Sequence, residues 1–300
     1  MSDKKKVRFH GIIPPMATLF DDNGNIDWEA NAKLIEFLIE NGVHGIMVQG
    51  SMGEFTHMSK EERKAFAQFA VKQVNGRVPL IVGTGSSSTD EAIELSQYAI
   101  EVGADGVMVV NPFYWSLSDE NIYRHFAKVA QNVNGAILLY NIPMLTGQNI
   151  PVSVIKRLAD EFENIVGIKE TVDSIGHIRD VILQVKSTHP EFSVLAAYDD
   201  HVFPALAIGA DGAICGTSNF APQITVGVYN QFKQGNYEES MKLHQSILPF
   251  MQLYGVDTPP IGVMKEATKQ VVGGISNFVR SPGSIVQDEH KQLVSLLLSK

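Results

Sequence analysis

The sequence has a single cysteine, Cys215, in 300 residues. No intrachain disulfide can form, and the composition suits a reducing compartment. Long apolar runs are also missing, since none reaches the ~18 residues that a membrane-spanning helix needs. The first residues are charged and soon meet Pro14-Pro15, unlike the apolar stretch of a signal peptide. A soluble cytoplasmic protein is therefore expected. Basic residues are scarce: 24 Lys and Arg stand against 33 Asp and Glu, a formal charge of −9. Nucleic-acid binding needs a dense basic surface, so it is disfavoured. The one basic run, Lys4-Lys5-Lys6 with Arg8 close behind, is expected to be a solvated tail.

Metal-ligand spacing is absent too. The nine histidines are scattered, with no His-x-His or His-x3-His. Asp199-Asp200-His201 is the only dense ligand-like cluster, and it is expected to cap a helix. Cys215 has no zinc-type companion and reads as a buried thiol. Gly83-Thr84-Gly85 lacks the Lys-Ser/Thr of a phosphate loop and the third glycine of a dinucleotide fingerprint, so it reads as a structural turn.

The chain does carry apolar material in quantity, at 44% of residues, and it is arranged in alternation. Eight short runs read as doubly buried strands: Ile12–Thr18, Gly45–Val48, Leu80–Val82, Gly106–Val110, Ala136–Tyr140, Ile165–Lys169, Ser193–Ala196 and Gly212–Ile214. Amphipathic segments separate them. Asp27–Glu40 places Ala30, Leu34, Phe37 and Leu38 on one face. Ser59 with Glu62 forms a capping box that opens Lys60–Val74. Thr89–Ile100, Asp119–Gln131, Val152–Phe162, Ser174–Val185 and Asp199–Ile208 read alike. Gly42, Gly103 and Gly209 follow three of these helices as left-handed caps. Eight strands alternating with helices favour an α/β fold, a (β/α)8 barrel over residues 1–222. Residues 223–300 show helical pattern alone, over Pro222–Gln234, Tyr237–Tyr254, Gly262–Val272 and Ser284–Ser299. They are expected to pack on the barrel as a C-terminal extension.

Reactive residues of such a barrel lie at the C-terminal ends of its strands. Lys169 ends the sixth run. In a low-dielectric mouth, desolvation disfavours its ammonium and makes the amine a nucleophile for a carbonyl carbon; a lysine at that place also snorkels to solvent in many proteins. Tyr140 ends the fifth run, either as a proton shuttle or as a core tyrosine. Ser51 sits between Gly50 and Gly53 in a turn that either holds a carboxylate on backbone amides or is a plain βα connection. Glu170 points to the face opposite Lys169 and reads as structural.

Gly50-Ser51-x-Gly53-Glu54, Tyr140-Asn141-Ile142-Pro143 and Gly167-Ile168-Lys169-Glu170 occur in order at the ends of the second, fifth and sixth strands. Together they resemble the dihydrodipicolinate synthase / N-acetylneuraminate lyase family of pyruvate-dependent class I aldolases, over nearly the whole chain. The resemblance implies a (β/α)8 barrel that assembles as a homotetramer, a dimer of dimers. It implies that Lys169 forms a Schiff base with a 2-keto acid and that Tyr140 shuttles the proton. Ser51 and the Met52 backbone, with Gly53, would hold the pyruvate carboxylate, and Ile214 and Gly216 would line the pocket. Tyr114 matches the aromatic that reaches across a subunit interface to complete a tyrosine–serine–tyrosine relay. No metal or organic cofactor is implied, and the partners are the 2-keto acid substrate and pyruvate.

Two departures narrow the reading. The synthases carry an arginine two residues after the proline of Tyr-Asn-x-Pro, where it binds the second substrate's carboxylate; here the residue is Leu145. Leucine at that position resembles the sialic-acid lyases and the sugar-acid aldolases. Met52 also replaces a common hydroxyl residue, and Phe55 a small polar one. Gly50-Ser51-x-Gly53-Glu54-Phe55, Asn111-Pro112-Phe113-Tyr114-Trp115 and Tyr198-Asp199-Asp200-His201 look most like bacterial 2-keto-3-deoxygluconate aldolases of this family, with N-acetylneuraminate lyase and an atypical dihydrodipicolinate synthase as alternatives. A keto-acid-binding regulator and a metal-dependent aldolase are the readings outside this class.

Overall fold

The computed structural model describes residues 8–299. Eight strands form one parallel sheet: β1 (Gly11–Ile12), β2 (Ile46–Val48), β3 (Leu80–Gly83), β4 (Gly106–Val110), β5 (Ala136–Asn141), β6 (Ile165–Glu170), β7 (Ser193–Ala196) and β8 (Gly212–Ala213). Consecutive strands pair from β2 to β8, and β8 returns to β1 with Gly11 opposite Gly212. The seam between β1 and β2 closes through Met47 N to Pro14 O at 3.0 Å and Met16 N to Met47 O at 2.8 Å. Strand β1 is shorter than the Ile12–Thr18 expectation because Pro14 and Pro15 have no N–H to give the ladder. The barrel is closed all the same, since the segment still presents carbonyls.

The helices that separate the strands begin where the sequence supplies caps. Asp27 accepts from Ala30 N at the start of α1 (Trp28–Glu40). Ser59 and Glu62 form the expected capping box at α2 (Lys60–Val74). Ser88 accepts from Glu91 N at the start of α3 (Thr89–Glu101), and Ser118 from Asn121 N at the start of α4 (Asp119–Asn132). After α4 come α5 (Pro143–Thr146), α6 (Val152–Glu161), α7 (Ile175–Val181) and α8 (Val202–Ala207). Gly42, Gly103 and Gly209 all have φ above +70°, as left-handed caps require.

Several elements differ from the pattern reading, each for a local reason. The segment expected as one helix over Ser174–Val185 loosens into a π turn at Ile182–Lys186. That expected over Asp199–Ile208 opens as a 3-10 turn at Asp199–His201 before α8. Pro143 starts the short helix α5 where the pattern showed none. On α1, Phe37 is only half-buried, while Asn31 is fully buried because its amide brackets Leu19: it accepts from Leu19 N at 3.0 Å and donates to Leu19 O at 2.8 Å.

Strand alternation sends side chains two ways. One buried cluster lies between the strands and the surrounding helices; Leu34, Phe66, Val107 and Leu158 belong to it. A second fills the barrel, with Met47, Ile81, Met108, Leu138, Tyr140 and Leu195. Each fully buried aliphatic side chain contributes about 1.5–3 kcal/mol. After β8 the chain continues through α9 (Pro222–Lys233), α10 (Tyr237–Ile247), α11 (Ile261–Val272) and α12 (Asp288–Leu298). The helix expected over Tyr237–Tyr254 breaks into a 3-10 stretch at Leu248–Gly255, because Pro249 cannot donate to the helix ladder. A third apolar cluster holds this part together around Phe220, Leu253, Met264 and Leu297. Arg8 is bound to Asp211 at 2.7 Å, so it is not part of a free tail; Lys4-Lys5-Lys6 lie outside the described residues. Among those residues no helix is long and apolar enough to cross a membrane.

Candidate active site

The C-terminal ends of β2, β5, β6 and β8 converge at one mouth. Tyr140 and Lys169 are register partners across β5 and β6, so both side chains point into the barrel. Lys169 is 4% exposed, and its Nζ lies over the Tyr140 ring, 4.2 Å from the centroid. The Ser51 and Tyr140 hydroxyls are 3.3 Å apart. Three of the residues selected from sequence thus meet within one chain.

The Ser51 turn is built on its own backbone. Gly53 N donates to Gly50 O at 3.0 Å, and Glu54 N to Ser51 O at 3.1 Å. The Ser51 and Met52 amides donate to no protein acceptor among the described residues, which leaves two N–H groups for an anion. Thr18 Oγ1 donates to Gly53 O at 2.8 Å and holds the turn from below. Met52 packs against the C-terminal cluster, so the methionine that departs from the common hydroxyl ties the turn to that cluster instead.

Ile214 is buried just beyond β8 in the barrel cluster with Tyr140 and Leu195. Gly216 opens the 3-10 turn Gly216–Asn219. A Cβ there would lie 2.3 Å from the Tyr254 hydroxyl, so no other residue fits without displacing Tyr254. Tyr114 behaves differently. Its backbone is left-handed at φ +89°, its side chain is 87% exposed, and its ring meets Trp115 edge-on. A single chain does not bring it to the Ser51–Tyr140 pair.

The expectation that Asp199-Asp200-His201 caps a helix is overturned. Asp199 is buried and accepts from Thr217 N at 2.8 Å, from Thr217 Oγ1 and from the Tyr254 hydroxyl at 2.7 Å. Burial pushes its carboxyl up despite the Thr217 bonds, and burial beside Asp199 pushes the Tyr254 phenol well up. The cluster ties the ends of β7 and β8 to the C-terminal helices. Cys215 is the buried thiol expected, and desolvation pushes its pKa up.

Glu54 is the largest feature that sequence reasoning missed. It has φ +52° and is fully buried. Its carboxylate pairs with Lys265 of α11, which is also fully buried, and accepts from His57 Nδ1 at 3.1 Å and Arg280 N at 3.0 Å. Burial pushes the Lys265 ammonium down to about 8, against the pull of Glu54. A lysine directly after the apolar stretch Ile261–Met264 was the one available signal. Among the described residues Asn111 Oδ1, Thr171 Oγ1, Asp200 Oδ1 and His201 Nδ1, in the segments after β4, β6 and β7, are buried without a hydrogen-bond partner. Leu145, on α5, is 60% exposed at the rim beside Met144, whose sulfur accepts from the Tyr198 hydroxyl at 3.4 Å. Among the described residues no three His, Cys, Asp or Glu side chains gather to hold a metal ion.

A closed barrel of eight parallel strands with its polar side chains gathered at the C-terminal ends of the strands is the architecture of the (β/α)8 enzymes. Comparison with known proteins agrees. Residues 8–300 match the Dihydrodipicolinate synthetase family, and the chain belongs to it. YagE of Escherichia coli K12, provisionally named a 2-dehydro-3-deoxy-D-gluconate aldolase, is 44% identical over 97% of both chains. The crystal structure of YagE, a prophage protein, in complex with pyruvate superposes with a TM-score of 0.95, covering 97% of this chain and 98% of that one. YjhH of the same organism, provisionally named a 2-dehydro-3-deoxy-D-pentonate aldolase, is 39% identical over 97% of both chains. The dihydrodipicolinate synthase of Aquifex aeolicus is 33% identical with a TM-score of 0.92 over 97% of each chain.

Proposed function

We propose that this chain is a Schiff-base aldolase that cleaves a 2-keto-3-deoxy sugar acid, such as 2-keto-3-deoxygluconate, reversibly to pyruvate and an aldehyde. The observation that carries the reading is Lys169 Nζ packed on Tyr140, whose hydroxyl is 3.3 Å from Ser51. The Lys169 amine attacks the C2 carbonyl, and water leaves to give a protonated imine. Tyr140 takes the proton of the C4 hydroxyl. As the C3–C4 bond breaks, its electron pair moves to the imine nitrogen and leaves an enamine, and the aldehyde departs. Protonation at C3 and hydrolysis release pyruvate and restore the lysine.

The amides of Ser51 and Met52, with Gly53, hold the carboxylate, while Ile214 and Gly216 shape the wall behind the pyruvyl half. Fixing that half lets one lysine and one tyrosine serve the reaction whatever the aldehyde. The imine is formed on the protein's own amine, so the reading needs no metal or organic cofactor. Leu145 supports a sugar acid, because leucine offers a second substrate's carboxylate no partner. Tyr114, exposed on a left-handed backbone, completes the relay with Ser51 and Tyr140 of a partner in a homotetramer. The enzyme works in the cytoplasm in this reading, in keeping with its lone thiol.

The test is borohydride reduction in the presence of pyruvate, followed by mass analysis of the peptide that carries Lys169. A mass gain there supports the imine, and its absence sinks it. Pyruvate release from 2-keto-3-deoxygluconate, with N-acetylneuraminate in parallel, then tests the substrate. Release from N-acetylneuraminate alone would keep the chemistry and overturn the sugar acid.

A further inference from the structure

Behind the reacting pair lies a second pair in the same register. Asn141 stands opposite Glu170, one residue beyond Tyr140 opposite Lys169. Alternation turns Asn141 and Glu170 to the outer face of the barrel, away from the mouth. Both are fully buried. Asn141 Nδ2 donates to Glu170 Oε2 at 2.9 Å, and Asn141 Oδ1 accepts from Ile150 N at 3.0 Å. His177 Nδ1 of α7 lies 3.4 Å from the same carboxylate oxygen, and this contact raises the His177 pKa. Among the described residues Glu170 Oε1 has no hydrogen-bond partner.

A buried carboxylate beside a neutral amide is costly to keep, since each ion taken out of water costs several kcal/mol. An apolar pair would pack the outer face with no such cost. What the pair supplies is direction. A hydrogen bond between side chains on opposed strands fixes how far one strand slides and twists on the other.

The β5–β6 ladder has a particular need for this. Its register shifts between Ile137 and Leu138, where Ile137 faces Ile165 and Leu138 faces Gly167, which leaves Val166 as an extra residue. A bulge loosens pairing and changes local twist. The pairs from Leu138–Gly167 to Asn141–Glu170, with the backbone bond from Thr171 N to Asn141 O at 2.8 Å, then hold Tyr140 against Lys169. The bulge lies at one end of that short ladder, and the Asn141–Glu170 bond lies at the other.

We infer that Glu170 and Asn141 form a cross-strand clamp that sets the distance and orientation of Lys169 relative to Tyr140. Both are positioning residues, because neither touches the reacting atoms. The inference rests on the imine reading of Lys169 and Tyr140 and adds the residues that align them. Displacement of a reacting group by about 1 Å costs roughly 100-fold in rate.

The experiment compares Glu170→Leu, Asn141→Leu and Glu170→Gln with wild type. Thermal unfolding is recorded for each. The two readouts are the rate of borohydride trapping by pyruvate and steady-state cleavage of the sugar acid. The leucine variants are expected to lose about 10- to 100-fold in kcat with KM changed less than threefold, because the carboxylate turn is untouched. Glu170→Gln keeps an acceptor for Asn141 and is expected to regain most of the loss. In a Tyr140→Phe background, Glu170→Leu is expected to cost much less than it does alone, since the alignment it serves is already void.

Wild-type kcat in either leucine variant overturns the clamp, as does an equal loss in the Tyr140→Phe background. If Glu170→Leu fails to fold, Asn141→Leu and the Glu170→Gln comparison in both backgrounds decide in the same way. A wild-type enzyme that does not trap pyruvate would instead overturn the imine reading, which is a separate result.

Discussion

Replacing Lys265 with methionine tests how the C-terminal helices support the mouth. Lys265 is fully buried, pairs with Glu54, donates to Phe278 O at 2.8 Å and lies 4.6 Å from the Phe20 ring centroid. Methionine has similar length and keeps the packing on Phe20. It leaves the Glu54 carboxylate fully buried with only His57 Nδ1 and Arg280 N as donors. Removing one partner of a buried pair costs about 3–5 kcal/mol. At ~2 cal/mol/K of unfolding entropy per residue, a chain of this length has about 0.6 kcal/mol/K, so Tm is expected to fall by about 5–8 °C.

The double variant Glu54→Gln/Lys265→Met removes both charges, and about half or more of the stability should return. Urea unfolding supplies the check, with a lower midpoint at unchanged slope. The same variant should raise KM for the keto acid more than it lowers kcat, because the Ser51–Met52 amides lose their support while Lys169 and Tyr140 stay in place. A Lys265→Met enzyme within about 1 kcal/mol of wild type would refute the reasoning. So would a double variant less stable than the single one.

Other outcomes follow from the same geometry. Lys169→Ala should abolish trapping by pyruvate and reduce cleavage by at least ~1,000-fold, read by mass analysis and pyruvate release. Tyr140→Phe should still trap pyruvate but lower kcat by about 100- to 10,000-fold, which separates imine formation from proton transfer. His125 is buried, and desolvation holds its imidazole down to about 4 from an ordinary 6.5. The unfolded chain therefore takes a proton that the folded chain refuses as pH falls from about 6.5 to 4, and up to about 3 kcal/mol of stability is lost over that window. His125→Asn, whose amide oxygen can still accept from Thr89 Oγ1, should flatten that loss in urea midpoints measured from pH 7 to 4.

Much of this molecule could be read before it was seen, and the reason is local. Doubly buried strands such as Gly106–Val110 are unbroken apolar runs, and the loops between strand and helix carry caps that chemistry restricts to a few residue types. Ser59 with Glu62 is one such signal and Gly103 another. The lysine and the tyrosine were legible because each is a polar residue ending an apolar run. What escaped depends on partners remote in sequence. Asp199 looked like a cap because its neighbours are Asp200 and His201, yet its bonds go to Thr217 and Tyr254. Glu54 looked like the end of a turn motif, and nothing nearby announces Lys265. The bulge at Val166 leaves no pattern either, since Ile165-Val166-Gly167-Ile168 reads equally well in both registers.

The pairing of Glu54 with Lys265 spans 211 positions of chain, and this separation fixes the order in which the site is completed during synthesis. A ribosome releases β5 and β6, with the tyrosine and the lysine, well before it releases α11. Until then the turn that offers its amides to an anion carries a carboxylate with no cation to bury against. A chain halted before residue 265 already has Lys169 and Tyr140 but lacks the buried partner that holds Glu54 beside the Ser51 turn. Translation therefore delivers the strand ends of the mouth first and the helix that braces the Ser51 turn last.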